Sequence, residues 1–164
     1  FAFILWLKNR TFFKRFTTAL LILSYAAFFT FVVFPAAPPW LASKEGYLPG
    51  VVKIVEVVLD LFPQKLDLPT IYANFNPNPV AAVPSLHAAY PLMVLLFAVK
   101  FFGKKAWLFS IYVLGVWFSL IYLGEHYLID IILGASYTLI VYYGMRIVLY
   151  KNLWFLRWFH SFGV

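Results

Sequence analysis

Phe16–Phe34, FTTALLILSYAAFFTFVVF, is a run of 19 residues without a charge. At about 1.5 Å of rise per helical residue it is long enough to cross roughly 30 Å of hydrocarbon. The rest of the chain shares its character. Of 164 residues, 64% are hydrophobic and 12% charged, against about 45–50% and about 25% in an ordinary soluble domain. Phe, Trp and Tyr number 19, 6 and 11, more apolar surface than a soluble core of this size can hide. Soluble globular, disordered and collagen-like classes are excluded. So is a disulfide framework, because the chain has no Cys.

Working outward, Ser85–Phe102, Ala106–Leu123 and Tyr127–Tyr150 read as three further spans. Residues 1–164 are therefore expected to form one all-α, polytopic transmembrane helix bundle with four complete spans. Between the first two spans lies a segment rich in Pro and Asn, Pro35–Pro84. Within it Val51–Phe62 (VVKIVEVVLDLF) spaces Lys53, Glu56 and Asp60 by three and four, which puts one polar stripe on an apolar helix. Twelve residues reach only about 18 Å, so this helix is expected to lie along the membrane surface, either capping the bundle or guiding a lipid to it. Phe1–Leu7 (FAFILWL) is too short to cross and reads as the tail of an upstream span or as an interfacial piece, with an N-terminal portion missing. The tail Leu153–Val164, with Trp154, Arg157 and Trp158, reads as an interfacial anchor; His160 there is read as incidental.

A formal net charge of +7 raises nucleic acid as a partner, and the placement of the charges removes it. Alternating spans put Lys8, Arg10, Lys14, Arg15, Lys100, Lys104, Lys105, Arg146, Lys151 and Arg157 on one side. All six acids fall on the other, with Lys44, Lys53 and Lys65. The basic side is cytoplasmic by the positive-inside rule. Pro35–Pro84 and the junction of spans three and four then face periplasm, lumen or exterior.

The ionisable groups near membrane depth converge on that outer end. His87 lies at the start of span two, within Pro84-Ser85-Leu86-His87. His126 and Asp130, four apart in Tyr122-Leu123-Gly124-Glu125-His126-Tyr127-Leu128-Ile129-Asp130, fall on one helix face. There the carboxylate can hold one ring N–H and raise the basicity of the other nitrogen. Two helix N-termini meet at the same end, with Pro84 read as the first helical position of span two. Their free N–H groups suit an anion. A His held by a carboxylate, a second His, a Ser and an oxyanion cradle point to phosphoryl transfer through a phosphohistidine. Three other readings stand beside it: a structural hydrogen-bonded pair, a metal site on His87, His126, Asp130 and Glu125, and a proton relay in a small transporter or lipid-binding bundle.

The elements Pro84-Ser85-Leu86-His87 and Ser119-x-x-Tyr122-Leu123-x-x-His126-Tyr127-x-x-Asp130-x-x-x-Gly134 resemble those of the type 2 phosphatidic acid phosphatase (PAP2) superfamily. Within it the chain looks most like the inositol phosphorylceramide synthase branch, and Phe34-Pro35-Ala36-Ala37-Pro38-Pro39-Trp40 is similar to that branch's proline-rich element. The resemblance spans about Phe16 to Tyr150. It implies a six-helix bundle, a site at the external leaflet, no metal and no cofactor. It also implies a lipid phosphate or phospholipid substrate, with water or an alcohol as acceptor. By motif position His126 matches the nucleophile, Asp130 its orienting carboxylate, His87 the general acid and Ser85 a phosphate-oxygen ligand. The superfamily's arginines are absent: Leu120 follows Ser119, and none precedes Pro38-Pro39. Lys44, Lys53, Lys65 or the Tyr122 phenol is expected to replace them, or the helix ends hold the anion alone; Lys44 is favoured for its nearness to Trp40. The gap favours a diester over a highly charged monoester. Acceptor choice is expected to lie around Asn74, Asn76, Asn78 and the surface helix.

Overall fold

The computed structural model describes residues 1–61 and 79–151. The expectations placed on Phe62, Lys65, Asn74, Asn76, Asn78 and the tail Leu153–Val164 lie outside these residues.

Short α1 (Ala2–Lys8) leads into the long α2 (Arg10–Val33). Asn9 separates them: its φ of −155° breaks the helix, and its side chain accepts from the Phe12 amide at 2.8 Å, satisfying one of the orphan donors of the next helix. Two short helices follow, α3 (Pro39–Lys44) and α4 (Ile54–Asp60). Then come α5 (Leu86–Phe102), a 3₁₀ turn (Lys104–Leu108), α6 (Phe109–Tyr122) and α7 (Leu128–Lys151). The described residues hold no strand, only an isolated parallel bridge between Ala36 and Ala81.

Three stretches are long and apolar enough to cross a membrane: Arg10–Val33, Lys104–Tyr122 and Leu128–Val148. α5 is the short one, an apolar helix of 17 residues. Ser85 is its N-cap, so the helix begins two residues later than the reading of Pro84 as first helical position. Gly103, at φ 78°, ends it in a conformation that side chains avoid. α4 is also shorter than expected. Residues 51–53 stay out of it because the Val51 amide donates to Ser43 Oγ (3.2 Å) and Val51 and Val52 pack on the turn at Gly124.

α5 is the centre of the bundle, packing on α2, α6 and α7. The interior mixes small residues at the helix contacts with larger groups such as Leu23, Met93, Phe97 and Ile131, and the exterior is large and apolar. Ala19, Ala27, Ala88, Ala89 and Ala98 are buried, while Phe28, Phe29, Val32, Ile111, Leu114, Phe118 and Ile140 are exposed. An exterior this apolar suits lipid, where small residues let backbones approach and large apolar groups face the acyl chains. The fold is that of an integral membrane protein.

The two ends of the bundle differ. At one, Phe1, Phe12, Phe16, Phe97, Phe101 and Tyr142 interlock, with ring centroids 5.1–5.5 Å apart. At the other, the loops bind each other through the backbone. Ala36 N–H donates to Val80 O (2.8 Å) and Ala82 N–H to Ala36 O (3.2 Å). Trp40 N–H reaches Gly124 O (3.2 Å) and Ile54 N–H reaches Leu123 O (3.4 Å). These bonds fold the segment after α2 over the α6–α7 turn.

Candidate active site

His126 sits in the turn between α6 and α7. That turn closes tightly because Glu125 N–H and His126 N–H both donate to Leu120 O at 3.1 Å, while Gly124 supplies a φ of 74°. A Cβ on Gly124 would stand 3.1 Å from Val52 O, so the position also needs the absence of a side chain. α7 then starts at Leu128, with Asp130 in its first turn.

Asp130 Oδ2 does two things at once. It accepts the Tyr127 amide at 2.9 Å, capping the start of α7, and it lies 3.3 Å from His126 Nδ1. Both His126 and Asp130 are buried. An ionised carboxylate only accepts, a pairing that puts the ring proton on Nδ1 and leaves the lone pair on Nε2. That lone pair faces His87: His126 Nε2 and His87 Nδ1 are 3.4 Å apart, with ring centroids at 5.7 Å. The three groups form a line, Asp130–His126–His87. Among the described residues no three His, Asp or Glu side chains converge on a point as a metal set would.

His87 reaches this line from the first turn of α5. Ser85 fixes that turn: its hydroxyl accepts from Ala88 N–H (3.3 Å) and its own N–H donates to Asp130 O (3.1 Å). The backbone joins the two histidine-bearing elements directly. Gly134 makes the approach possible, since a Cβ there would lie 2.3 Å from Ser85 O.

The imidazoles open onto a cavity of about 200 Å³ lined by Phe31, Pro38, Trp40, Pro79, Ala81, Ala82, Leu86, His87, Glu125 and His126. It has an aromatic wall, Trp40 and Phe31, and a polar one, His87, His126 and Glu125. Leu86 and His87, at the start of α5, are positions whose amides have no helical acceptor.

Of the residues expected at the site, His87, His126 and Asp130 come together. Ser85 is fully buried beside them, its oxygen turned to the helix cap, and it is not part of the cavity lining. Tyr122 is exposed and stacks on Phe118 at 5.9 Å; Lys44 is exposed at the end of α3; neither lines the cavity. The cation standing against the cavity wall is Lys53. Its side chain is 5% exposed, with Nζ 4.2 Å from the Trp40 ring centroid and 3.3 Å from Glu56. Lys53 is buried yet keeps its place beside Glu56, the next member of the polar stripe that the spacing implies. Sequence reading also passed over Trp40 and Glu125 as cavity walls. The position of Glu125 beside His126 was the available signal for one, the proline-rich element for the other.

Comparison with known proteins agrees with this architecture. The PAP2 superfamily model matches residues 1–144, and the chain belongs to that superfamily. It is similar to the phosphoinositol dihydroceramide synthase of Bacteroides thetaiotaomicron, 37% identical over 142 residues, covering 81% of this chain and 45% of the relative. It is also similar to the inositol phosphorylceramide synthase of Candida albicans, 30% identical over 115 residues (68% of this chain, 24% of the relative). The third is the catalytic subunit of that synthase from Saccharomyces cerevisiae, 29% identical over 119 residues (67% and 28%). The chain spans less than half the length of these relatives. No solved structure matches it.

Proposed function

We propose that this chain carries the catalytic centre of a membrane lipid phosphotransferase that moves an inositol phosphoryl group onto the hydroxyl of a ceramide-like lipid through a phosphohistidine. The observation that carries the reading is the Asp130–His126–His87 line at the wall of an open cavity. In the first half-reaction His126 Nε2 attacks phosphorus, an N–P bond forms, and the P–O bond to the leaving alcohol breaks. His87 gives that oxygen its proton. Asp130 holds the positive charge that appears on the His126 ring. In the second half-reaction His87 takes the proton of the incoming hydroxyl, whose oxygen displaces Nε2. Water in place of the lipid hydroxyl would turn the same chemistry into hydrolysis.

The substrate class rests on the names of the relatives and on charge. Trp40, Phe31 and Pro38 suit a ring and an acyl chain better than a free dianion, and the lining holds no arginine. A phosphodiester, with one negative charge, fits such a wall better than a monoester. Ser85 acts through structure in this reading: its N–H and hydroxyl shape the turn bearing His87.

Membrane placement belongs to the same proposal. α5, at roughly 26 Å, is the fourth span, and residues 1–164 form one domain of a six-helix bundle. The basic residues set the aromatic end in the cytoplasm and the histidines at the outer leaflet. The test is direct: purified protein incubated with lipid labelled at phosphorus should acquire acid-labile, base-stable label on His126. Unlabelled His126 in a protein that turns over defeats the reading.

A further inference from the structure

Pro91 lies four residues after His87, inside α5. A proline has no N–H, so the His87 carbonyl loses the donor that an unbroken helix would give it, and the ring crowds that carbonyl. A first turn weakened in this way is a poor mount for a group that must deliver a proton to one oxygen atom. The next two carbonyls show how the fold compensates. Ala88 O accepts from Trp117 Nε1 on α6 at 3.1 Å. Ala89 O accepts from Thr138 Oγ1 on α7 at 3.1 Å, a hydroxyl that is fully buried and shared with Gly134 O at 3.0 Å on its own helix. Two side chains from two helices thus grip consecutive carbonyls immediately after His87. Both are long-range, from 29 and 49 residues away in sequence. A carbonyl has two lone pairs, so each bond adds to the helix ladder without replacing it.

We propose that Trp117 and Thr138 are positioning residues that hold the His87 imidazole in line with His126, so that it can protonate the leaving alcohol. This rests on the phosphohistidine reading above. Apolar packing alone would keep α5 in place, because Ala88, Leu120 and Ile131 already fill that seam. What packing does not fix is rotation and tilt of the proline-weakened turn, and directional bonds do. A misplacement on the order of 1 Å at a catalytic group can slow a reaction by about a hundredfold.

The consequence is a dependence on the leaving group. A general acid matters for a poor leaving group such as a lipid alcohol and hardly matters for nitrophenolate, which leaves without a proton. Release of the leaving group is therefore followed in single turnovers of the full-length protein in nanodiscs. The two substrates are phosphatidylinositol and the p-nitrophenyl ester of inositol phosphate. Thr138→Val, which deletes one donor at nearly constant shape, and Trp117→Phe, which deletes the other and keeps an aromatic ring, should slow diacylglycerol release about tenfold or more and leave nitrophenolate release within about twofold. Thr138→Ser, which restores the hydroxyl, should recover the first rate. Unchanged diacylglycerol release, or equal losses on both substrates, overturns the proposal. Failure of both donor deletions to give monodisperse protein overturns it too, since the bonds then hold the bundle and not the imidazole. A His126→Ala protein that still turns over both substrates defeats the underlying mechanism. A dead His126→Ala beside variants indifferent to the leaving group defeats only the positioning role.

Discussion

The two ends of the bundle solve the packing problem differently. At the basic end, phenyl rings interlock edge to face: Phe16 and Phe12 on Phe97, Phe97 on Tyr142. At the histidine end, directional hydrogen bonds between backbones join the loops, and Gly134 lets the two histidine-bearing elements approach. Aromatic contacts are cohesive and tolerant of small rotations; amide–carbonyl bonds and a missing Cβ define position closely. The lesson is that substitutions in the Phe97 cluster should read out mainly as melting and substitutions along the histidine line mainly as rate.

The largest break in that contrast comes from the histidine line. His126→Ala should abolish turnover while the protein elutes and melts like the wild type. Asp130→Asn should lower turnover on the order of 10³–10⁴-fold, because the charge is lost and an amide N–H facing Nδ1 favours the wrong ring tautomer. Next comes Gly134→Ala. Its methyl would collide with Ser85 O, so the two elements must move apart, with a turnover loss of roughly a hundredfold and a thermal destabilisation of about 1–3 kcal/mol. At the aromatic end, Phe97→Leu should shift melting by about 1–2 kcal/mol yet leave the rate per folded molecule within about twofold. A large rate effect there would erase the division. The smallest effect is expected at Lys53→Met, where a cation over Trp40 is lost and the pair with the mostly exposed Glu56 contributes little. Melting should fall by no more than about 1 kcal/mol, and Lys53→Arg should restore it.

Much of this was readable from the chain because lipid imposes long, uniform runs. Phe16–Val33 lies within α2, with Phe34 as its C-cap, and α6 and α7 fall within the stretches where the apolar runs put spans three and four. The His126–Asp130 pair was readable for a local reason: a spacing of four decides which side chains meet. His87 joined them through topology, once the spans alternated. Other features had no local signature. Lys44 and Lys53 look alike in sequence, and only the fold of residues 36–54 over Gly124 turns Lys53 onto Trp40 and leaves Lys44 outside. Trp117 and Thr138 read as ordinary span residues. Their meaning depends on carbonyls in another helix, which composition and period do not reveal. Ser85 was flagged for a ligand role, yet its hydroxyl is turned to the start of α5, as a serine just before an apolar run commonly is.

Asp130 Oδ2 serves the Tyr127 amide and the His126 ring together, while its sister oxygen Oδ1 is buried with no hydrogen-bond partner. In the proposed mechanism, the atom that orients the imidazole is therefore the one that caps the helix end. If that mechanism holds, fraying of this single turn stops turnover before the bundle comes apart, so warming should switch off chemistry ahead of unfolding, as a fuse opens before the wire melts.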